Sequence, residues 1–505
     1  MSVPKSIVPD RESSLGLSVA VLCTVLSIVP CLARVCAAEV SPAASQASPE
    51  TSAPAKTSLE ELQSQVRITT ETNTLTATTT NVTAPKEKSF QWKSAWEGWD
   101  GLHLELVRKR LLGQWVSGNT NTASDNLSTN VHRVHLEEGR MSAKIGGKFA
   151  VDGAAFATGS QFQGFDAGAE LRRARIYASG DCLLLLPVSY QFELGYIPSQ
   201  FYIEESYLWF KNIAYLGNLK LGQYQAPMGL DVITSTRDIP FMEPAAPMQA
   251  LAPGVNAGLQ IGHPVFHERA TWTLGLFTGG VGQDYGDASK DFGRLTTRLT
   301  ALPIYHPDPE QPSSAQLLHL GLSANILYSG NSTVRYQARP ESHLAPYVVD
   351  TGDIASQGAL VAGGEVAWIN GPLTVQGEYL HSFVQQTNSE TLGFTGLYGA
   401  ASWFLTGETR PYNRTDGTFG RVLPKHNFDW GKGGWGAWEI AGRASYVDLD
   451  SGPVQGGRLY MLMAGVNWHL HSHMKWRFDY GFGRVSGRSP EGNLNIFQTR
   501  VEVDF

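Results

Sequence analysis

From residue 141 to the end of the chain, apolar and polar positions alternate with a period of two. Val188, Tyr190, Phe192, Leu194 and Tyr196 share one face, and Ser189, Gln191, Glu193 and Gly195 share the other. The pattern returns in Leu318, Leu320, Leu322, Ala324, Ile326 and Tyr328, and again in Met474, Trp476, Phe478, Tyr480 and Phe482. A helix would mix these faces, so the periodicity predicts strands. Strands of a soluble sandwich usually run to about five or six residues. Runs of about 10 to 13 residues ending in Tyr, Trp or Phe instead match a membrane-spanning barrel with aromatic girdles.

Counted this way, strands are expected near 141–153, 169–179, 184–196, 202–210, 218–224, 255–262, 269–278, 291–301, 316–328, 358–369, 373–384, 395–406, 436–447, 457–468, 474–484 and 494–505. The reading is therefore all-β: a 16-stranded antiparallel transmembrane β-barrel over 141–505 with loops folded into the pore. An even count leaves both termini on one side, as bacterial outer-membrane barrels require. Tight hairpins at Asn370–Gly371 and His469–His473 fall on that terminal side, and the long 225–254 and 329–357 connections fall opposite. The 407–435 connection breaks the rule, being long where a short turn is expected. In the last strand Phe497, Val501, Val503 and Phe505 form the lipid face, and the chain ends on an aromatic, as outer-membrane barrels do. On this register a charge at Val503 should be costly and a charge swap at Asp504 tolerated.

The N-terminus places the protein. Lys5 and Arg11 precede an apolar run from Leu15 to Leu32, and Cys36, Ala37 and Ala38 supply small residues before Glu39. Residues 1–38 thus read as a cleaved signal peptide. Residues 39–91 read as a flexible low-complexity tail with a short helix near 58–66, and 92–140 as a lead-in with room for an extra hairpin. No later segment approaches the 18 or so apolar residues of a membrane helix. Composition disfavours a disordered, collagenous or disulfide-rich protein and fits a soluble enzyme as well as a barrel: charged residues are 17%, against roughly 25% in ordinary soluble domains, with 53 Gly, 13 Trp, 18 Tyr and 21 Phe. Three of the four cysteines lie in the signal, so Cys182 alone has no internal disulfide or multi-cysteine metal site to join.

With apolar faces toward lipid, the inward set contains Lys144, Lys148, Arg173, Arg175, Lys220, Arg294, Arg298, Arg443, Lys475, Arg477 and Arg500. Fixed positive charge replaces part of an anion's lost hydration, and Arg adds forked donors to phosphate oxygens. The competing reading is that these cations pair with Glu193, Glu365, Glu378, Glu439, Asp479 and Glu502 to fill the wall. Arg335 and Arg339 from the second long loop, and Arg410, Arg414, Arg421 and Lys425 from the anomalous connection, complete the candidate pore lining. Net charge is −7, so anion selectivity requires segregation of charge rather than bulk basicity. His469, His471 and His473 are better read as a girdle cap than as metal ligands; no metal, cofactor or nucleic acid is expected, and no catalytic pair stands out.

The segments Glu170-Leu171-Arg172-Arg173-Ala174-Arg175, Leu219 to Tyr224, Phe241-Met242-Glu243, Arg339-Pro340-Glu341-Ser342, Leu405 to Tyr412 and Gly436-Ala437-Trp438-Glu439 together resemble the phosphate-selective porin O and P family. The resemblance covers roughly 140–505. It implies a sixteen-stranded trimeric barrel in the outer membrane of a Gram-negative-type bacterium, set in lipid and passing small anions such as phosphate or polyphosphate by passive diffusion. A non-selective general porin is the alternative; an outer-membrane enzyme or a plugged scaffold barrel fits the residues less well.

Overall fold

A computed structural model describes residues 114–117, 132–136, 141–183, 187–197, 200–278, 292–307, 315–328, 333–388, 390–431 and 433–505. The expected signal peptide and most of the tail and lead-in lie outside them. Sixteen strands form the barrel: β1 Met141–Thr158, β2 Gly168–Leu183, β3 Pro187–Ile197, β4 Gln200–Ile213, β5 Gly217–Gln225, β6 Val255–Val265, β7 Ala270–Thr278 and β8 Phe292–His306. The second half is β9 Gln316–Tyr328, β10 Ile354–Asn370, β11 Leu373–Gln386, β12 Thr391–Phe404, β13 Ala437–Ser451, β14 Val454–His471, β15 Met474–Ser486 and β16 Gly492–Asp504. Each pairs antiparallel with its neighbour, and β16 closes the ring on β1 from Leu494↔Thr158 to Asp504↔Lys148.

Every strand read from the alternation is present. The reason is local: period-two patterning needs only the strand itself and the lipid on its outer face. On β16, Phe497 is 56% exposed and Arg500 fully buried. The ladder continues to the last residue, where Phe505 exchanges both backbone hydrogen bonds with Gly147. A Cβ at Gly147 would lie 2.5 Å from the Phe505 ring, so the glycine lets the ring lie over it. Ahead of the ring, Gln114–Ser117 pairs with His132–Leu136, which pairs in turn with Met141–Lys144 of β1. This pair adds nothing to the ring, because β16 already occupies that edge of β1 from Lys148 onward.

The interior is filled from both ends. The third outer loop, 226–254, carries α1 (Leu230–Ile233) and α2 (Ala246–Leu251) into the lumen, where the fifth outer loop, 333–353, joins it. Met228, Phe241 and Met248 of one and Val334, Tyr336 and Val349 of the other pack on inward residues of the wall, among them Leu380, Phe394, Leu459, Met461, Leu494 and Ile496. That packing explains the run Leu459-Tyr460-Met461-Leu462-Met463, which is apolar on both faces because lipid covers one and the loops cover the other. The terminal-side connection 405–436 enters from below: the Phe419 amide donates to Thr234 Oγ1 of the third loop, and Phe419 packs with Leu230. No helix among the described residues is long and apolar enough to cross a membrane.

Candidate functional site

The inserted loops are fastened by carboxylates, and each principal one lies in a segment singled out from the sequence. Glu243 of the third loop accepts from Arg172 Nε at 3.0 Å and Arg500 Nη2 at 2.6 Å. Burial alone would push its carboxyl up; Arg172, Arg500 and Arg173 override that and hold it well below the usual carboxylate range. Glu341 of the fifth loop, fully buried, accepts from Arg443 Nε at 3.0 Å, Ser445 Oγ at 2.5 Å and the Ala246 amide at 2.9 Å, joining both loops to β13. Glu439 of β13 receives Arg410 of the long turn and Asn467 of β14. Asp504 collects three side chains: Arg237 at 2.6 Å from the third loop, Arg421 from the long turn, and the His473 ring at 3.5 Å.

Two cavities remain along the β1–β8 side. One, of about 350 Å³, is lined by Lys148, Arg172, Arg173, Arg175 and Arg237, and by Glu193, Glu204, Glu205 and Glu243. The other, of about 250 Å³, lies between β4–β8 and the long turn; Lys220, Arg298, Tyr207, Tyr224, Gln260 and Asp416 are in its wall. Both walls include Glu205, Gln225 and Ile233, so the cavities adjoin there. In the first, Lys148 meets Glu193 at 3.0 Å and Arg175 meets Glu204 at 2.8 Å, whereas the carboxylate closest to Arg173 among its ion pairs, Glu502, is 3.9 Å away. In the second, the Lys220 ammonium rests over the rings of Tyr207 at 3.7 Å and Tyr224 at 4.2 Å, and among the described residues no carboxylate oxygen comes within 4 Å of it.

The seventeen candidate cations therefore fall into different places. Lys148, Arg173, Arg175, Lys220 and Arg298 line the cavities. Arg443, Arg477, Arg500 and Lys475 lie behind the third loop and hold it: Arg477 donates to the carbonyls of Phe241, Thr236 and Arg237, Arg500 to that of Met242, and Lys475 to that of Arg237. Arg298 also grips the long turn through the carbonyls of Asp416 and Gly417 while pairing with Glu365 at 2.6 Å. Within that turn Arg410 and Arg421 are paired as above, Arg414 meets Glu268 at 2.6 Å, and Lys425 donates to the Gly407 carbonyl at 2.7 Å. Arg335 pairs with Asp350 at the outer mouth, and Arg339 donates to the His343 carbonyl and lies over Tyr347. Arg294 is buried beside Leu251 and Tyr336, with Nε and Nη1 lacking hydrogen-bond partners among the described residues. Lys144, opposite Ser179 on β2, stands toward the terminal-side rim.

Strict alternation assigns Arg172 to the lipid face, but its guanidinium lies in the lumen. The register shifts by one between Ala150↔Arg173 and Val151↔Leu171, and this β-bulge turns two consecutive arginines inward. An Arg-Arg pair inside a strand is the only sequence sign of it, since an arginine facing lipid would be costly. Of the three histidines, His469 meets Glu439, and His473 meets Asp504 and stacks on His471 with ring centroids 5.8 Å apart.

The sequence model of the phosphate-selective porin O and P family matches residues 143–505. An uncharacterized protein of Caulobacter vibrioides is 27% identical over 363 residues, covering 68% of this chain and 69% of that one. Porin O of Pseudomonas aeruginosa is 23% identical over 416 residues, covering 72% and 88%. Among solved structures, an anion-selective porin from Comamonas acidovorans aligns with a TM-score of 0.46 at 11% identity, over 72% of this chain and all of that one. The family match runs from the first barrel strand to the last, and the chain belongs to the phosphate-selective porin O and P family, outer-membrane β-barrels that act as channels.

Proposed function

We propose that the protein is a passive channel for small anions, phosphate among them, and that it works as a homotrimer delivered to the outer membrane by cleavage of residues 1–38. The observation that carries the anion preference is the pair of weakly compensated cations on the adjoining cavities, Arg173 and Lys220. A fixed cation facing a narrow waterway raises local anion concentration, and it counts for more there than in bulk because little water screens it. Arg172, Arg175 and Lys148 add donors, though each shares its charge with a glutamate. For the trimer, the wall is lowest at β5 and β7, with nine residues each against eighteen in β1 and β14. Beside it β3 and β4 expose Phe192, Phe201, Ile203 and Leu208, an apolar face that suits a neighbouring protomer.

The four glutamates of the larger cavity favour a second reading, a general porin with weak charge preference. Planar-bilayer recordings separate the two. In a KCl gradient the parent should give a reversal potential of anion-selective sign, and phosphate should block chloride current. Arg173→Gln combined with Lys220→Gln should move the reversal potential toward zero and raise the half-blocking phosphate concentration by roughly threefold or more. A parent reversal potential near zero establishes the general porin, and an unchanged double variant removes these two residues from the role.

A further inference from the structure

The smaller cavity is poorly matched to inorganic phosphate alone. At about 250 Å³ it is far larger than one tetrahedral anion, since a water's share of liquid is ~30 Å³. Its wall also carries two carboxylates, Glu205 and Asp416, which repel a bare polyanion but accept hydrogen bonds from hydroxyl groups. Around them stand Gln260, Thr415 and Thr418, and the rings of Tyr207 and Tyr224 supply apolar faces. At one place on this wall the Lys220 ammonium, fixed on the two rings, offers its N–H donors to the cavity. A few placed polar groups on an aromatic frame is the make-up of a small-molecule site.

We infer that this cavity is a binding site for a small polyhydroxylated anion such as a sugar phosphate, its charged group on Lys220 and its hydroxyls on Glu205, Asp416, Gln260 and Thr418. The inference rests on the anion-channel reading and narrows its substrate class. It uses the carboxylates that a phosphate-only site leaves unexplained. Burial raises the Asp416 carboxyl above its ordinary value, with Lys220 opposing. The long turn gains a role as well, because it brings Asp416 and Thr418 to the site from the terminal side of the barrel, where Arg298 holds its backbone.

The test uses the full-length protein in planar bilayers, with glucose 6-phosphate, inorganic phosphate and glucose compared as blockers of chloride current. Glucose 6-phosphate should half-block at a concentration roughly tenfold below inorganic phosphate, the factor expected of one or two added hydrogen bonds. Glucose should not block in that range. The side chains of Gln260 and Thr418 make no hydrogen bond to other described residues, so Gln260→Leu with Thr418→Val removes ligand contacts without breaking internal ones. This variant should bring the two anions to within about twofold of each other. Phosphate blocking as well as glucose 6-phosphate, block by neither, or a double variant with the parent ratio would each overturn the site. The parent's reversal potential keeps the readings apart: anion-selective with equal block defeats the sugar-phosphate site alone, and lack of anion selectivity defeats both.

Discussion

At the scale of single residues, adjacent positions on β16 show what alternation reveals and what it hides. Val503 faces lipid and Asp504 the lumen, as the pattern predicts. The expectation that a charge swap at Asp504 is tolerated does not follow, because Asp504 is a buried acceptor shared by Arg237, Arg421 and His473. Asp504→Arg would remove the shared acceptor and set a further cation beside Arg237 and Arg421, and should cost roughly 3–5 kcal/mol, the scale of breaking a buried ion pair. Val503→Arg should cost up to about 1 kcal/mol, since it lies one step beyond the Val501–Trp476 pair, where tryptophans mark the interface. Urea unfolding of both variants in lipid vesicles, read by heat-modifiable mobility, checks the order; equal midpoints would contradict the Asp504 hub. Arg172 teaches the same lesson, because a bulge, invisible to a strict period of two, decides which face it takes.

Among the elements, the long turn 405–436 is the informative one. Its length and its basic residues mark it in the sequence, and the structure shows it rising into the lumen, with Tyr412 against His319 and Arg298 on its backbone. Arg410, Arg414, Arg421 and Lys425 are engaged by Glu439, Glu268, Asp504 and the Gly407 carbonyl, so the turn contributes to the site chiefly through Thr415, Asp416 and Thr418. The β12–β13 ladder, from Thr395↔Asp448 to Phe404↔Glu439, does not depend on the arm that reaches the cavity. Excision of residues 411–419, rejoined by a Gly-Gly link, should therefore leave a folded barrel and increase single-channel conductance. Unchanged conductance in a folded variant would show that the arm does not bound the waterway.

For the whole molecule, the ring closes through β1 and β16 themselves. The ring is complete from β1 to β16, and the strand pair ahead of it only extends the edge of β1 below the chain end. Residues 39–85 are rich in Ala, Ser, Thr and Pro and lack the apolar surface that would offset the entropy of ordering. Deleting them should leave trimer mass, heat-modifiability and conductance at parental values. Native mass measurement of the deletion variant is the check, and a monomeric product would assign the segment near 58–66 to oligomerisation.

The sequence by itself determined the number and order of the strands and, away from the β-bulge at Arg172, their facing, because each of these depends on contacts a strand makes within itself and with the lipid beside it. It also marked the segments that fold inward, through the Glu243, Glu341 and Arg410 motifs and through an over-long turn. Only the tertiary structure decided which lumen charges face water. Arg443, Arg477 and Arg500 look no different in the chain from Lys220 and Arg173, yet the first three are consumed in holding loops from more than a hundred residues away along the sequence, and the last two face open cavities. A charge's function in a pore is set by the carboxylates and carbonyls that reach it, and those partners are brought by non-local folding that no periodicity records.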